Sequence, residues 1–198
     1  MNSLQPPETS HARFRRAALF LFALCVCLPL AAPAAAQRRE HLTPEEIELV
    51  RDNQELDART GVFIKAAERR LLAVTSPAES EKNAPKEKEQ WGEVKGTRTQ
   101  LLYDISKILE EAVVNVDDVA EHNPESPLLR KSLYMLSEAT GRMLPQLSKL
   151  RQDITSEAES DQLDRALESA REITDAAKER GVTAEDLKVK AKAAKKND

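Results

Sequence analysis

The sequence predicts an all-α fold: an elongated antiparallel helical bundle of three long helices, a shorter fourth and a C-terminal helical tail. Three observations predict it. Leu129, Leu133, Leu136, Thr140, Met143, Leu147, Leu150 and Ile154 recur at alternating steps of four and three. That is a coiled-coil-like seam, which packs against partner helices at a shallow angle. Helix-start signals stand ahead of the apolar stripes. Strand signals are lacking: no period-2 alternation is bounded by turn pairs, and the 198 residues include only five glycines.

Residues 1–36 read as a secretory signal peptide. Arg13, Arg15 and Arg16 precede an apolar run from Ala17 to Ala32, and Pro33 then leads into Ala34-Ala35-Ala36. A basic start, an apolar middle and a small-residue end are the parts of such a signal. Cleavage is expected after Ala36, with a cut after Ala34 as the rival. An uncleaved anchor would need roughly 20 apolar residues, and Pro29 and Pro33 suit a cleavage region better than a spanning helix. Lipoprotein processing would need a small residue just before a cysteine, whereas Cys25 follows Leu24 and Cys27 follows Val26. The expected location is therefore outside the cytoplasm, periplasmic or extracellular.

Residues 37–42 form a short lead, and 43–182 form the helical bundle domain. The first helix starts at Thr43-Pro44-Glu45-Glu46: Thr43 caps, Pro44 takes the first helical position, and Glu46 closes a capping box. It is expected to continue to about Thr75. Its seam reads Leu49, Asn53, Leu56, Thr60, Phe63, Ala67, Leu71. Residues 76–90 (SPAESEKNAPKEKEQ) hold two prolines and no large apolar side chain, so they are read as a mobile linker.

The second helix is expected from about Trp91 to Glu121, with Leu101, Ile105, Ile108, Ala112, Val116 and Val119 on its stripe. The short connector 122–127 then favours an antiparallel neighbour. The third helix carries the seam described above. At ~1.5 Å per residue it should span about 40 Å. Pro145 removes the bond to the carbonyl of Gly141, so a kink is expected over Gly141–Pro145 rather than a helix end. The polar stretch 155–162 shifts the stripe and offers a Ser156/Glu159 cap. This favours a separate fourth helix over one unbroken helix from 128 to 180. Leu163, Leu167, Ala170, Ile173 and Ala177 line the fourth helix, and Gly181 suits the residue after its last turn. Residues 183–198 read as a short helix and a lysine-rich tail.

Both cysteines fall inside the export segment, so cleavage would leave no disulfide, thiolate zinc site or cysteine nucleophile. The full chain carries a net charge of −4, and the export segment removes more arginine than acid. An acidic chain argues against general nucleic-acid binding. A di-iron bundle would need Glu-x-x-His on facing helices, and that motif does not occur. Neither G-x-S-x-G nor S-x-x-K occurs, and the acids fall on polar helix faces. No catalytic residue, cofactor or metal is therefore expected.

Asn53, Thr60 and Thr140 interrupt apolar seams and form a candidate polar seam, which would either line a small pocket or fix helix register. Trp91 is read as a packing anchor or as a partner contact. Leu42-Thr43-Pro44-Glu45-Glu46 resembles the LTxxQ signature of small all-helical periplasmic chaperones and metal-stress proteins, with Glu46 in place of Gln. It spans five residues and occurs once, as any well-capped helix start can, and it identifies no family.

The function expected is an exported, non-enzymatic bundle that binds a protein partner, acts as a scaffold or behaves like a chaperone. The alternatives are a metal- or cofactor-binding bundle and a hydrolase with an unrecognised carboxylate site. Homo-oligomers fit the seam. Membrane contact is expected only through an uncleaved signal or the lysine tail.

Overall fold

The computed structural model describes residues 40–188. Residues 1–36, read above as a signal peptide, the lead as far as Arg39 and most of the lysine-rich tail lie outside the described residues. Among those described, every regular element is helical. No described helix is long and apolar enough to cross a membrane.

Helix α1 (Pro44–Asp52) begins as its residues require. The Thr43 hydroxyl accepts from the Glu46 N–H, and the Glu46 side chain accepts from the Thr43 N–H. The single long first helix expected over 43–75 is instead two. Asn53 ends α1: its amide side chain donates to the Leu49 carbonyl at 2.6 Å, competing with the backbone, and its own φ/ψ is extended. Helix α2 (Leu56–Thr75) resumes after Gln54-Glu55. Arg59 braces the break by donating to the carbonyls of Asn53 and Gln54. From Leu56 onward the expected seam holds, with Leu56, Thr60, Phe63, Ala67 and Leu71 all buried.

Residues 76–90, expected to be a linker, form helix α3 (Pro77–Trp91). Pro77 sits in the first turn, where its missing N–H is harmless, and Glu, Lys, Ala and Gln favour the helix that follows. Helix α3 buries no residue, and Trp91 at its end is its one large apolar side chain. Its half-exposed positions Ser80, Asn83, Ala84, Glu87 and Trp91 nevertheless recur at helical spacing. Only Ala84 and, at the last position, Trp91 are apolar on this inner face.

Helix α4 (Arg98–His122) starts seven residues later than expected, because Thr97 and Gln100 form a complete capping box. Helix α5 (Leu128–Leu150) runs through Gly141 and Pro145 without ending. A 3-10 turn, Arg151–Asp153, and the extended Ile154 separate it from helix α6 (Glu157–Glu179), which Ser156 caps. Gly181 adopts φ 57°, and the N–H groups of Gly181 and Val182 return to the carbonyls of Lys178 and Ala177. This Schellman turn accepts only a residue at ease with positive φ. The helix expected after residue 182 is a 3-10 helix, Ala184–Lys188.

Four of these helices enclose the core. α2 and α6 each pack against both α4 and α5. α2 meets α4 head to tail, since Arg59 near the start of one bonds Asn115 in the last third of the other at 3.0 Å. α5 and α6 are likewise opposed: Arg130 bonds the carbonyls of Arg180 and Gly181, and Thr140 meets Thr174. The remaining two sides of the bundle are parallel. Asp57–Lys131, Gly61 facing Met135, and Glu68–Arg142 share one constant stagger along α2 and α5. Arg98–Glu159 joins the first turns of α4 and α6 at 2.7 Å. The 123–127 connector thus sends α5 across the diagonal from α4 rather than to its side.

Candidate functional site

The most concentrated chemistry lies where α1, α2 and the two ends of α3 converge. Glu46 is fully buried. Its Oε2 accepts the Thr43 N–H at 2.9 Å, and its Oε1 accepts from Arg69 Nη1 and Arg70 Nη1 at 2.5 Å each. Both arginines are also buried. A charge in the interior is tolerated only when it is paired and its remaining donors are satisfied, and here most are. Arg69 donates to the carbonyls of Trp91 (2.9 Å) and Gly92 (2.6 Å), and through Nε to Glu87 Oε2 at 3.0 Å. Arg70 donates to the carbonyls of Ala66 and His41.

Two guanidinium groups meet two carboxylates, Glu46 from α1 and Glu87 from α3. Without α3, the two buried guanidinium groups would share the single carboxylate of Glu46. Glu87 also holds Lys65 Nζ at 2.8 Å. Burial alone would raise the Glu87 carboxyl, but the hydrogen bonds and charges of Lys65 and Arg69 hold it below its ordinary value.

The C-terminal end of α3 is fastened to the same cluster. Thr43 Oγ1 donates to the Trp91 carbonyl at 2.7 Å, and the Arg69 guanidinium lies 6.0 Å from the centre of the Trp91 ring. Gly92 follows with φ 68°, buried so tightly that an added Cβ would collide with the Glu45 and Thr43 side chains. Beyond the fastening, α3 stands off from α5 and leaves a cleft of about 370 Å³. Lys65, Leu72, Ser80, Asn83, Arg142 and Met143 are among its lining residues.

The candidate polar seam does not assemble. Asn53 is the cap that ends α1. Thr60 is buried and returns its hydroxyl to the Leu56 carbonyl at 2.8 Å. Thr140 is buried and bonds the Leu136 carbonyl at 2.9 Å and Thr174 at 3.2 Å. No hydrogen bond joins any two of the three, and none of them lines the cleft. Trp91, expected at the start of the second helix, closes α3 instead and is half-buried.

Sequence reasoning missed the Glu46–Arg69–Arg70–Glu87 cluster. Glu46 was legible as half of a capping box. The signal for its second role was Arg69-Arg70, a pair of cations set between the seam positions Ala67 and Leu71. Among the described residues, no three His, Cys, Asp or Glu side chains gather as a metal site would require. No protein family, curated protein or solved structure matches the chain.

Proposed function

We propose that the chain is an exported, non-enzymatic helical bundle that engages a protein partner, in the manner of a scaffold or chaperone, through the face where α3 stands off from α5. The observation that carries this reading is the cleft itself. It mixes an apolar floor, including Leu72 and Met143, with exposed charges of both signs, and it is roofed by a helix that buries no side chain. Such mixed surfaces suit polypeptide contacts, in which an apolar centre is rimmed by polar groups. Export rests on the basic-apolar-small pattern of residues 1–36.

Two measurements test the proposal together. The purified protein is expected to slow aggregation of a reduced, unfolded model protein, and Leu72→Asp, at a half-exposed position of the cleft floor, is expected to weaken that effect. Light scattering over a dilution series separates self-association from client binding. A strict monomer that leaves aggregation unchanged at molar excess overturns the proposal.

A further inference from the structure

Helix α3 is fastened to the bundle differently from every other long helix described. The remaining four contribute Leu, Ile, Val, Phe or Met side chains to one apolar core, whereas α3 contributes none. An isolated 15-residue helix is marginal in water, and helices in proteins usually draw their stability from an apolar face packed on the core. This one lacks that face. What holds it is polar and sits toward one end: Glu87 on Lys65 and Arg69, and the Trp91 carbonyl on Arg69 and Thr43. Its two ends also have the means to swing. Ser76-Pro77 breaks the path from α2, and Gly92 supplies a positive φ before the non-helical stretch 92–97. A segment with few buried apolar contacts opens locally at far lower free energy than the core around it.

We propose that α3 is an electrostatically latched strap, which undocks from the bundle as a unit while the four-helix core stays folded, with Glu87 as the latch. Undocking frees Lys65 and one edge of Arg69 and uncovers the side of α2 that carries Leu72. The core does not depend on the strap for apolar burial, so its helices persist when the strap leaves. Salt weakens the latch, because the Lys65–Glu87 pair is partly exposed and is screened at high ionic strength.

Native-state hydrogen exchange on the purified protein tests this directly. Amides of residues 81–91 are expected to exchange well ahead of those in the middle of α2, α4, α5 and α6. Glu87→Gln removes the latch charge and is expected to speed exchange in the strap by about tenfold, the effect of losing one charge-assisted hydrogen bond. Glu81→Gln, on the same helix but in no ion pair, is the control and is expected to leave the rate unchanged. Trp91 is the chain's one tryptophan. Its emission is expected to shift on adding about 0.5 M salt while far-UV helix content outside the strap is retained. Exchange of the strap only through global unfolding, equal rates in the Glu87→Gln and Glu81→Gln variants, or an emission change that coincides with loss of the core helices would each overturn the proposal.

Discussion

One carboxylate, Glu46, closes the capping box of α1 and neutralises two guanidinium groups from α2. Removing one member of a buried ion pair leaves an uncompensated charge behind. Glu46→Ala is therefore expected to destabilise the fold by about 3–5 kcal/mol, with the capping bond lost as well. Urea unfolding followed by circular dichroism measures this, and a loss under about 1 kcal/mol would mean that the arginines find other partners. Glu87 allows a second prediction, in pH. Its carboxyl is held below the ordinary 4.5 because Lys65 and Arg69 outweigh its burial, and Glu93 beside the cleft is lowered too, by Lys95 and Lys88. A lowered carboxyl stabilises the docked state fully above its ordinary value and loses that contribution as pH falls through the lowered value. Strap docking is therefore expected to be constant above about pH 4.5 and to weaken below it. Trp91 emission is expected to show this acid transition in the wild type and to lose it in Glu87→Gln. Superposable titrations of the two proteins would contradict it.

At the scale of the element, caps and glycines set where helices begin and end. Gly141 lies inside α5, exposed, with nothing within 4 Å of where a Cβ would be. Gly141→Ala is expected to stabilise the protein by about 0.5–1 kcal/mol, since Ala restricts the unfolded chain and suits a helix interior. Gly92→Ala is expected to do the reverse, because it combines a φ of 68° with a collision against Glu45 and Thr43. Thermal melts of the two variants should move in opposite directions. Most of this level was legible from residue order. The Thr43 box, the Ser156 cap, the Gly181 turn and the stripes of α4, α5 and α6 are local signals within one or two turns. The start of α4 was legible too, in Thr97-x-x-Gln100, but Trp91 drew the boundary upstream. Helix α3 was not legible by apolar periodicity, because its inner face carries Ser80, Asn83 and Glu87 and is apolar only at Ala84 and Trp91.

At the scale of the molecule, the square order α2–α4–α6–α5 puts two pairs of like-directed helices side by side. Parallel neighbours lack the dipole compensation of antiparallel ones, and in both pairs charged side chains bridge the contact. Asp57–Lys131 and Glu68–Arg142 do so between α2 and α5, and Arg98–Glu159 between α4 and α6. Zero-length carbodiimide coupling is expected to join Lys131 to Asp57, whose Nζ and Oδ2 lie 2.6 Å apart. Coupling of Lys131 to an acid of α4 instead would place a different helix beside α5.

The sequence by itself determined that this chain is helical, where α1, α5 and α6 begin, and which side of α2, α4, α5 and α6 turns inward. Those properties follow from interactions among residues three or four apart, which any window of the chain contains. Only the tertiary structure decided that α4 and α5 sit on a diagonal, that Arg69 and Arg70 find Glu46, and that a polar segment is pinned as a helix by Glu87. Those outcomes pair residues eighteen or more positions apart. An apolar stripe specifies burial without naming its partner, and a charge specifies only that it needs one.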